Sequence, residues 1–287
     1  MDISSSPRTI IITGANKGIG FEIAKKLYNQ AKTFKIILTS RDKAKGEEAI
    51  KKIKETKEST NSELYLGILD IVDSTSIDNF VSWVKNEFGS FDVLVNNAGY
   101  GYQLFDIEDG LRTLATNFFG LVELTEKLLP LLTKDGKIIN ISSGAGDLSN
   151  QKQHIRNLLN DSQLTSEKLV KIARDLYDST KDKLQDNFGW SNDHYANSKC
   201  LVNAYTRWAL PKLLLHDQTC YACTPGYCLT DMTKDHQSGR TDKPPGPAED
   251  GALTPLYLIE LPFQKDPQYH TKFFRNCQPE TYDKSTA

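Results

Sequence analysis

Seven short apolar runs, most of them far enough apart for a helix between them, constrain this chain more than any other feature. They are RTIIIT (8–13), FKIILTS (34–40), ELYLGILD (63–70), FDVLVNNAG (91–99), GKIINISS (136–143), TCYACTPG (219–226) and TKFFRN (271–276). Most are continuous rather than alternating in apolar character. Strands of that kind are buried on both faces, and a sheet covered on both faces by crossover helices is parallel. The stretches between them repeat apolar residues at helical spacing, as in IGFEIAKKLYNQ (19–30) and in Ile77, Phe80, Val81 and Val84. The pattern predicts an α/β fold: a doubly wound, seven-stranded parallel sheet with helices on both faces. The 287 residues are read as a single domain, 1–287. One segment breaks the alternation. Residues 147–190 hold no strand, and Leu169, Ile172, Leu176 and Leu184 fall roughly on one face of a helix that Ser166 is placed to cap. This is read as a helical insertion.

The first run opens into TGANKGIG (13–20), with glycines at 14, 18 and 20. A strand, a glycine loop and a helix start together suit a pyrophosphate, because glycines admit the backbone and the helix N-terminus offers free N–H groups. The second run closes on LTSRD. An acid at that point would accept from the ribose hydroxyl of NAD. Arg41 stands there instead, and its planar donors match a 2′-phosphate, with Lys17 as a second cation. That favours NADP(H). Asp42 reads as the N-cap of the next helix. Asp70, after the third run, and the NNAG of 96–99 read equally as turn residues or as groups facing a nucleotide. Tyr195 and Lys199 in YANSK are four residues apart, so they stack on one helix face. The spacing alone fits a solvated pair as well as a phenol whose acidity an ammonium tunes.

A formal net charge of −2 argues against general attraction to nucleic acid or an anionic membrane. No apolar stretch approaches the ~18 residues of a membrane span. The first residues do not read as a signal peptide, so a cytoplasmic protein is expected. The five cysteines are expected to be reduced thiols, and Cys220-x-x-Cys223, inside an apolar run, reads as buried and structural. The histidines at 154, 194, 216, 236 and 270 are scattered, and no metal site is expected.

In their order along nearly the whole chain, TGANKGIG, NNAG, TNFFG (116–120), NISS, YANSK and PGYCLTDM (225–232) resemble the short-chain dehydrogenase/reductase family. Within it the chain is similar to the monomeric NADPH-dependent carbonyl reductases, which share NKGIGFEIAK, LTSRD and extra residues before the active-site tyrosine. The resemblance implies a Rossmann-type fold, NADP(H) as cofactor, and a monomer whose insertion covers the surface used by oligomeric relatives. It implies a catalytic set of Asn117, anchoring a water in a proton relay, Ser143, bonding the substrate oxygen, and the Tyr195–Lys199 pair. Cofactor contacts are implied at Gly14, Asn16, Lys17, Gly18, Ile19, Gly20, Arg41, Asp70, Asn97, Ala98, Gly99, Tyr195, Lys199, Pro225, Gly226 and Thr230, with PGYCLTDM covering the cofactor.

The expected reaction is reduction of an aldehyde, ketone or quinone, with hydride from the nicotinamide and the proton from Tyr195. Lys199 is expected to favour the phenolate. Tyr100, Tyr102, Trp190, Tyr227 and Met232 are candidates for a substrate pocket, and each reads equally as ordinary core or surface. Two alternatives share the motifs: an oxidative alcohol or hydroxysteroid dehydrogenase, and a non-catalytic NADP-binding sensor.

Overall fold

β1 (Arg8–Ile12) lies between β2 (Phe34–Ser40) and β4 (Phe91–Asn96), parallel to both. β3 (Glu63–Ile68) adds outside β2. On the other side follow β5 (Leu132–Ile141), β6 (Thr219–Cys223), β7 (Phe273–Arg275) and β8 (Gln278–Glu280). The order β3-β2-β1-β4-β5-β6-β7-β8 reverses beside β1, so a crevice opens at the carboxyl ends of β1 and β4. These descriptions come from a computed structural model and cover residues 7–56, 61–101, 106–234 and 244–284. Tyr102 and His236 lie outside the described residues.

The sheet has eight strands, not the expected seven, and β8 pairs antiparallel with β7. The cause is a two-residue turn. Asn276 and Cys277 sit at φ 49 and 62, the left-handed pair that closes a tight hairpin. The QPE that follows carries no apolar signal, and its proline argues against a strand.

Adjacent residues along the central strands feed opposite cores. Ile11, Ile37, Leu94 and Ile138 pack with α3 (Ser74–Phe88), α5 (Gly120–Leu128) and α8 (His194–Ala204). Ile10, Ile12, Ile36, Val93 and Ile139 pack with α1 (Gly18–Tyr28), α2 (Lys43–Lys54) and α10 (Leu253–Glu260). This double burial is why the runs are continuous in apolar residues. The remaining helices are α4 (Ile107–Leu114), α6 (Gln153–Leu159), α7 (Ser166–Lys181) and the short α9 (Ala248–Gly251). A π-turn, Ala115–Phe119, joins α4 to α5.

The cap of α7 is Thr165, whose hydroxyl accepts from the Lys168 N–H at 3.3 Å. Ser166, the expected cap, is the first helical residue, and its hydroxyl pairs with Glu126 instead. Leu169 and Leu176 are buried as expected, whereas Leu184 lies past the helix and is exposed. Among the described residues no helix is long and apolar enough to cross a membrane.

His270 sits where β6 meets the segment leading to β7, and its Nδ1 accepts from the Cys220 N–H at 3.4 Å. Burial draws its imidazole down to about 4. The folded protein therefore binds fewer protons here than the unfolded chain between pH ~4 and ~6.5, and stability falls as pH drops through that window. His270→Gln should remove about 1–2 kcal/mol of that acid-dependent loss. Urea midpoints of both proteins at pH 7 and pH 5 check this; identical pH slopes would refute it.

Candidate active site

Segments leaving the carboxyl ends of β1 to β6 enclose a cavity of about 1030 Å³. A clamp between two loops builds one wall. The Thr13 hydroxyl accepts from the N–H groups of Asn97 and Ala98 at 2.9 and 2.8 Å. Asn97 Nδ2 donates back to the Thr13 carbonyl at 2.8 Å. Gly14 sits at φ +61, and a β-carbon there would lie 3.0 Å from Ala98 Cα, so the clamp requires glycine. Its N–H donates to Thr39 Oγ1 at 3.0 Å.

Gly14, Asn16, Lys17, Gly18, Ile19, Arg41, Asp70, Asn97, Ala98, Gly99, Tyr195, Lys199, Pro225 and Thr230 line this one cavity. Gly20, inside α1, and Gly226, past β6, do not line it. The narrow backbone cradle at Gly14 and Gly18 fits a pyrophosphate. The far end, where Arg41, Lys45 and Lys52 share the wall, fits a phosphate. Asp42 caps α2, accepting from the Lys45 N–H at 3.1 Å, as its position predicts. Lys17 is otherwise engaged: its ammonium pairs with Asp231 at 2.8 Å, joining the glycine loop to the segment after β6. Both side chains are more than half exposed, so the pair contributes little to stability.

Tyr195 and Lys199 occupy the first two turns of α8, and both reach the cavity. The Lys199 ammonium lies 5.5 Å from the Tyr195 ring centroid and donates to the Ile141 carbonyl at 2.9 Å. Ser143, just past β5, hydrogen-bonds the Tyr195 phenol, and its Oγ accepts from the Ala145 N–H at 3.1 Å. Asn117 lies behind this group in the π-turn, fully buried. Tyr100 and Met232 line the cavity, but Trp190 and Tyr227 do not. Trp190 is buried in the hydrophobic core, so its place in the candidate substrate pocket is corrected.

Residues 8–155 match the short chain dehydrogenase family. Over 276 residues the chain is 34% identical to carbonyl reductase (NADPH) 3 of Mus musculus, covering 91% of this chain and 93% of that protein. The chain belongs to the short-chain dehydrogenase/reductase family. It is also 31% identical to (+)-neomenthol dehydrogenase of Arabidopsis thaliana, over 91% of this chain and 94% of that one. Salutaridine reductase from Papaver somniferum superposes with a TM-score of 0.77 at 27% identity, covering 94% of this chain and 100% of that one.

In this short-chain dehydrogenase/reductase the electrostatics of the Tyr195–Lys199 pair run against the expectation from sequence. Burial pushes the Tyr195 phenol up to about 12, with the Ser143 hydrogen bond opposing. Burial draws Lys199 down to about 8. Loss of solvent is the largest cause at both groups, and the ammonium is turned to the Ile141 carbonyl. The protein's own groups thus keep the phenol protonated at neutral pH, the state a proton donor needs. The four buried thiols Cys200, Cys220, Cys223 and Cys228 are all pushed up by burial, which suits structural residues, whereas Cys277 is half-buried.

Several residues of the site escape sequence reading. Thr13 and Thr39 look like ordinary strand residues, yet they hold the glycine loop. Lys45 had a signal, standing in the first turn of the helix that Asp42 caps, just past Arg41. Arg112 lines the cavity from α4 with its guanidinium 4.5 Å from the Tyr100 ring centroid, while the Tyr100 hydroxyl donates to Asp109 at 2.7 Å.

Proposed function

We propose that this protein reduces a carbonyl group to an alcohol, or a quinone to a hydroquinone, with NADPH as donor. It is an NADP-dependent oxidoreductase. One observation carries the reading: a phenol, bonded to Ser143 and one helical turn from a buried lysine, stands in the wall of a cavity that begins at a glycine loop. Bound NADPH supplies the hydride. Tyr195 gives its proton to the substrate oxygen as negative charge develops there. Ser143 donates to the same oxygen and holds it against the phenol. Lys199, drawn down to about 8, carries a proton at neutral pH yet releases it at small cost, so it can restore the phenol. Arg41 and Lys45 hold the 2′-phosphate.

The same reading gives residues 147–190 a role. They form the insertion before the active-site tyrosine, and α7 lies over the π-turn, with Tyr177 against Phe119 at 5.9 Å between ring centroids and Arg174 4.6 Å from the Phe119 ring. That cover leaves a monomer.

The test is NADPH consumption, followed by absorbance, with quinones, aromatic aldehydes, keto-steroids and diketones. At least one class should be turned over. Consumption with none would overturn the reading and leave an NADP-binding sensor. In the same assay Arg41→Ala should lower kcat/KM with NADPH about tenfold and leave that with NADH nearly unchanged. An equal fall with both cofactors would remove Arg41 from phosphate selection.

A further inference from the structure

α8 is buried on almost every side from Ala196 to Ala204, so its polar side chains must find partners inside the protein. Ser198, between Tyr195 and Lys199, is fully buried. Its hydroxyl donates to the Tyr195 carbonyl at 2.7 Å. Its oxygen accepts from Asn117 Nδ2 at 3.0 Å. The direction of both bonds is fixed: the amide nitrogen only donates, and the hydroxyl has one hydrogen. Asn117 Nδ2 spends its other hydrogen on the Tyr100 carbonyl at 2.8 Å, and Asn117 Oδ1 accepts from the Tyr100 N–H at 2.7 Å. No hydrogen of the Asn117 side chain is left for a water.

These contacts close into a circuit. Tyr100 leads into Gly101, where a β-carbon would lie 2.6 Å from Cδ2 of the Tyr195 ring. The backbone of 100–101 is therefore the wall behind the phenol. Asn117 grips that wall, Ser198 grips Asn117, and Ser198 also grips the backbone of Tyr195. The carbonyl it holds is the one whose helical partner is the Lys199 N–H, four residues on. One hydroxyl thus fixes the single turn that carries both the phenol and the ammonium against the surface the ring rests on.

We propose that Ser198 is a positioning residue, which sets the place of the Tyr195 phenol relative to the reacting oxygen through Asn117 and the Tyr100–Gly101 wall. The inference rests on Tyr195 being the proton donor. Small displacements of a reacting group are costly to rate, and the cofactor cradle lies elsewhere in the cavity. Removing the hydroxyl should therefore act on the chemical step and spare NADPH binding.

The experiment compares Ser198→Ala, Ser198→Thr and Ser198→Cys with the wild type, using whichever carbonyl substrate the panel gives. Rates are read well below the melting midpoint, because Ser198→Ala also strands an Asn117 N–H. Ser198→Ala should lower kcat about tenfold or more, leave the NADPH dissociation constant within about twofold, and raise the primary isotope effect from deuterated NADPH. Ser198→Thr, which keeps the hydroxyl, should recover kcat to within about threefold. Ser198→Cys fills the space with a weak donor and should behave like the alanine variant. Asn117→Ala combined with Ser198→Ala should cost no more than the worse of the two alone. Wild-type kcat in either the alanine or the cysteine variant, additive losses in the double variant, or an equal loss of NADPH binding would overturn the proposal. The underlying reading fails separately: a Tyr195→Phe variant that stays active removes the proton donor whatever Ser198 does.

Discussion

Tyr195→Phe is expected to lower kcat by about 10³-fold or more while NADPH binds within about twofold of the wild type. The change removes one oxygen and leaves the ring against Gly101. The fold, the glycine-loop clamp and the phosphate end of the cavity are untouched, so binding and catalysis separate cleanly. The effect is large because the phenol bonded to Ser143 is the group that gives the proton, and phenylalanine has none to give. The pH dependence follows from the same groups. With the phenol pushed up to about 12 and the lysine drawn down to about 8, reduction should hold its rate through neutral pH and decline above about 8, where Lys199 loses the proton it passes on. Equilibrium titration of NADPH and steady-state rates across pH 6–10 check both statements. A phenylalanine variant retaining a tenth of the wild-type kcat would end the proton-donor role.

Gly120→Ala should cost about 3 kcal/mol of stability. Gly120 starts α5 directly after the π-turn, and a β-carbon there would run into the carbonyl oxygen of Ile71, well inside contact distance. The obstacle is backbone, held in the turn that follows β3, where the Val72 N–H donates to Asp70 Oδ1 at 3.2 Å and the Asp70 N–H to Ser76 Oγ at 2.9 Å. It cannot swing aside as a flexible side chain would. Relief must come from moving α5 or residues 69–72, which line the cavity. The variant should therefore also weaken NADPH binding. A urea midpoint equal to that of the wild type would show that the close approach is readily relaxed.

The fold was legible wherever a residue's neighbours in sequence are also the cause of its state. The parallel strands show as continuous apolar runs because each feeds two cores, and the Asp42 cap shows because capping is local. Failures came from long-range causes. β8 depends on a turn at Asn276–Cys277 and on an edge supplied by β7, neither of which marks QPE itself. Lys137 interrupts an apolar run for no local reason. In the structure it is buried and donates to the Leu258 and Ile259 carbonyls at 3.2 and 3.0 Å, and to that of Leu261, finishing the end of α10. Burial draws it down to about 7.

At the site, Tyr195 and Lys199 could be singled out by spacing, but the direction of their electrostatics could not. Burial decides it, and spacing carries no measure of burial. Trp190 was attractive as an aromatic residue just ahead of the Tyr195 helix, yet the core claims it. Ser198 stood in plain view inside YANSK; what it does depends on Asn117, far away in sequence.

β8 also settles how the sheet ends. Three residues long, with a proline that has no amide hydrogen and a glutamate beside it, it offers a poor seam for another chain to stitch onto. β7, equally short, is sealed behind it, so among the described residues this margin of the sheet is a poor template for a strand from a second molecule.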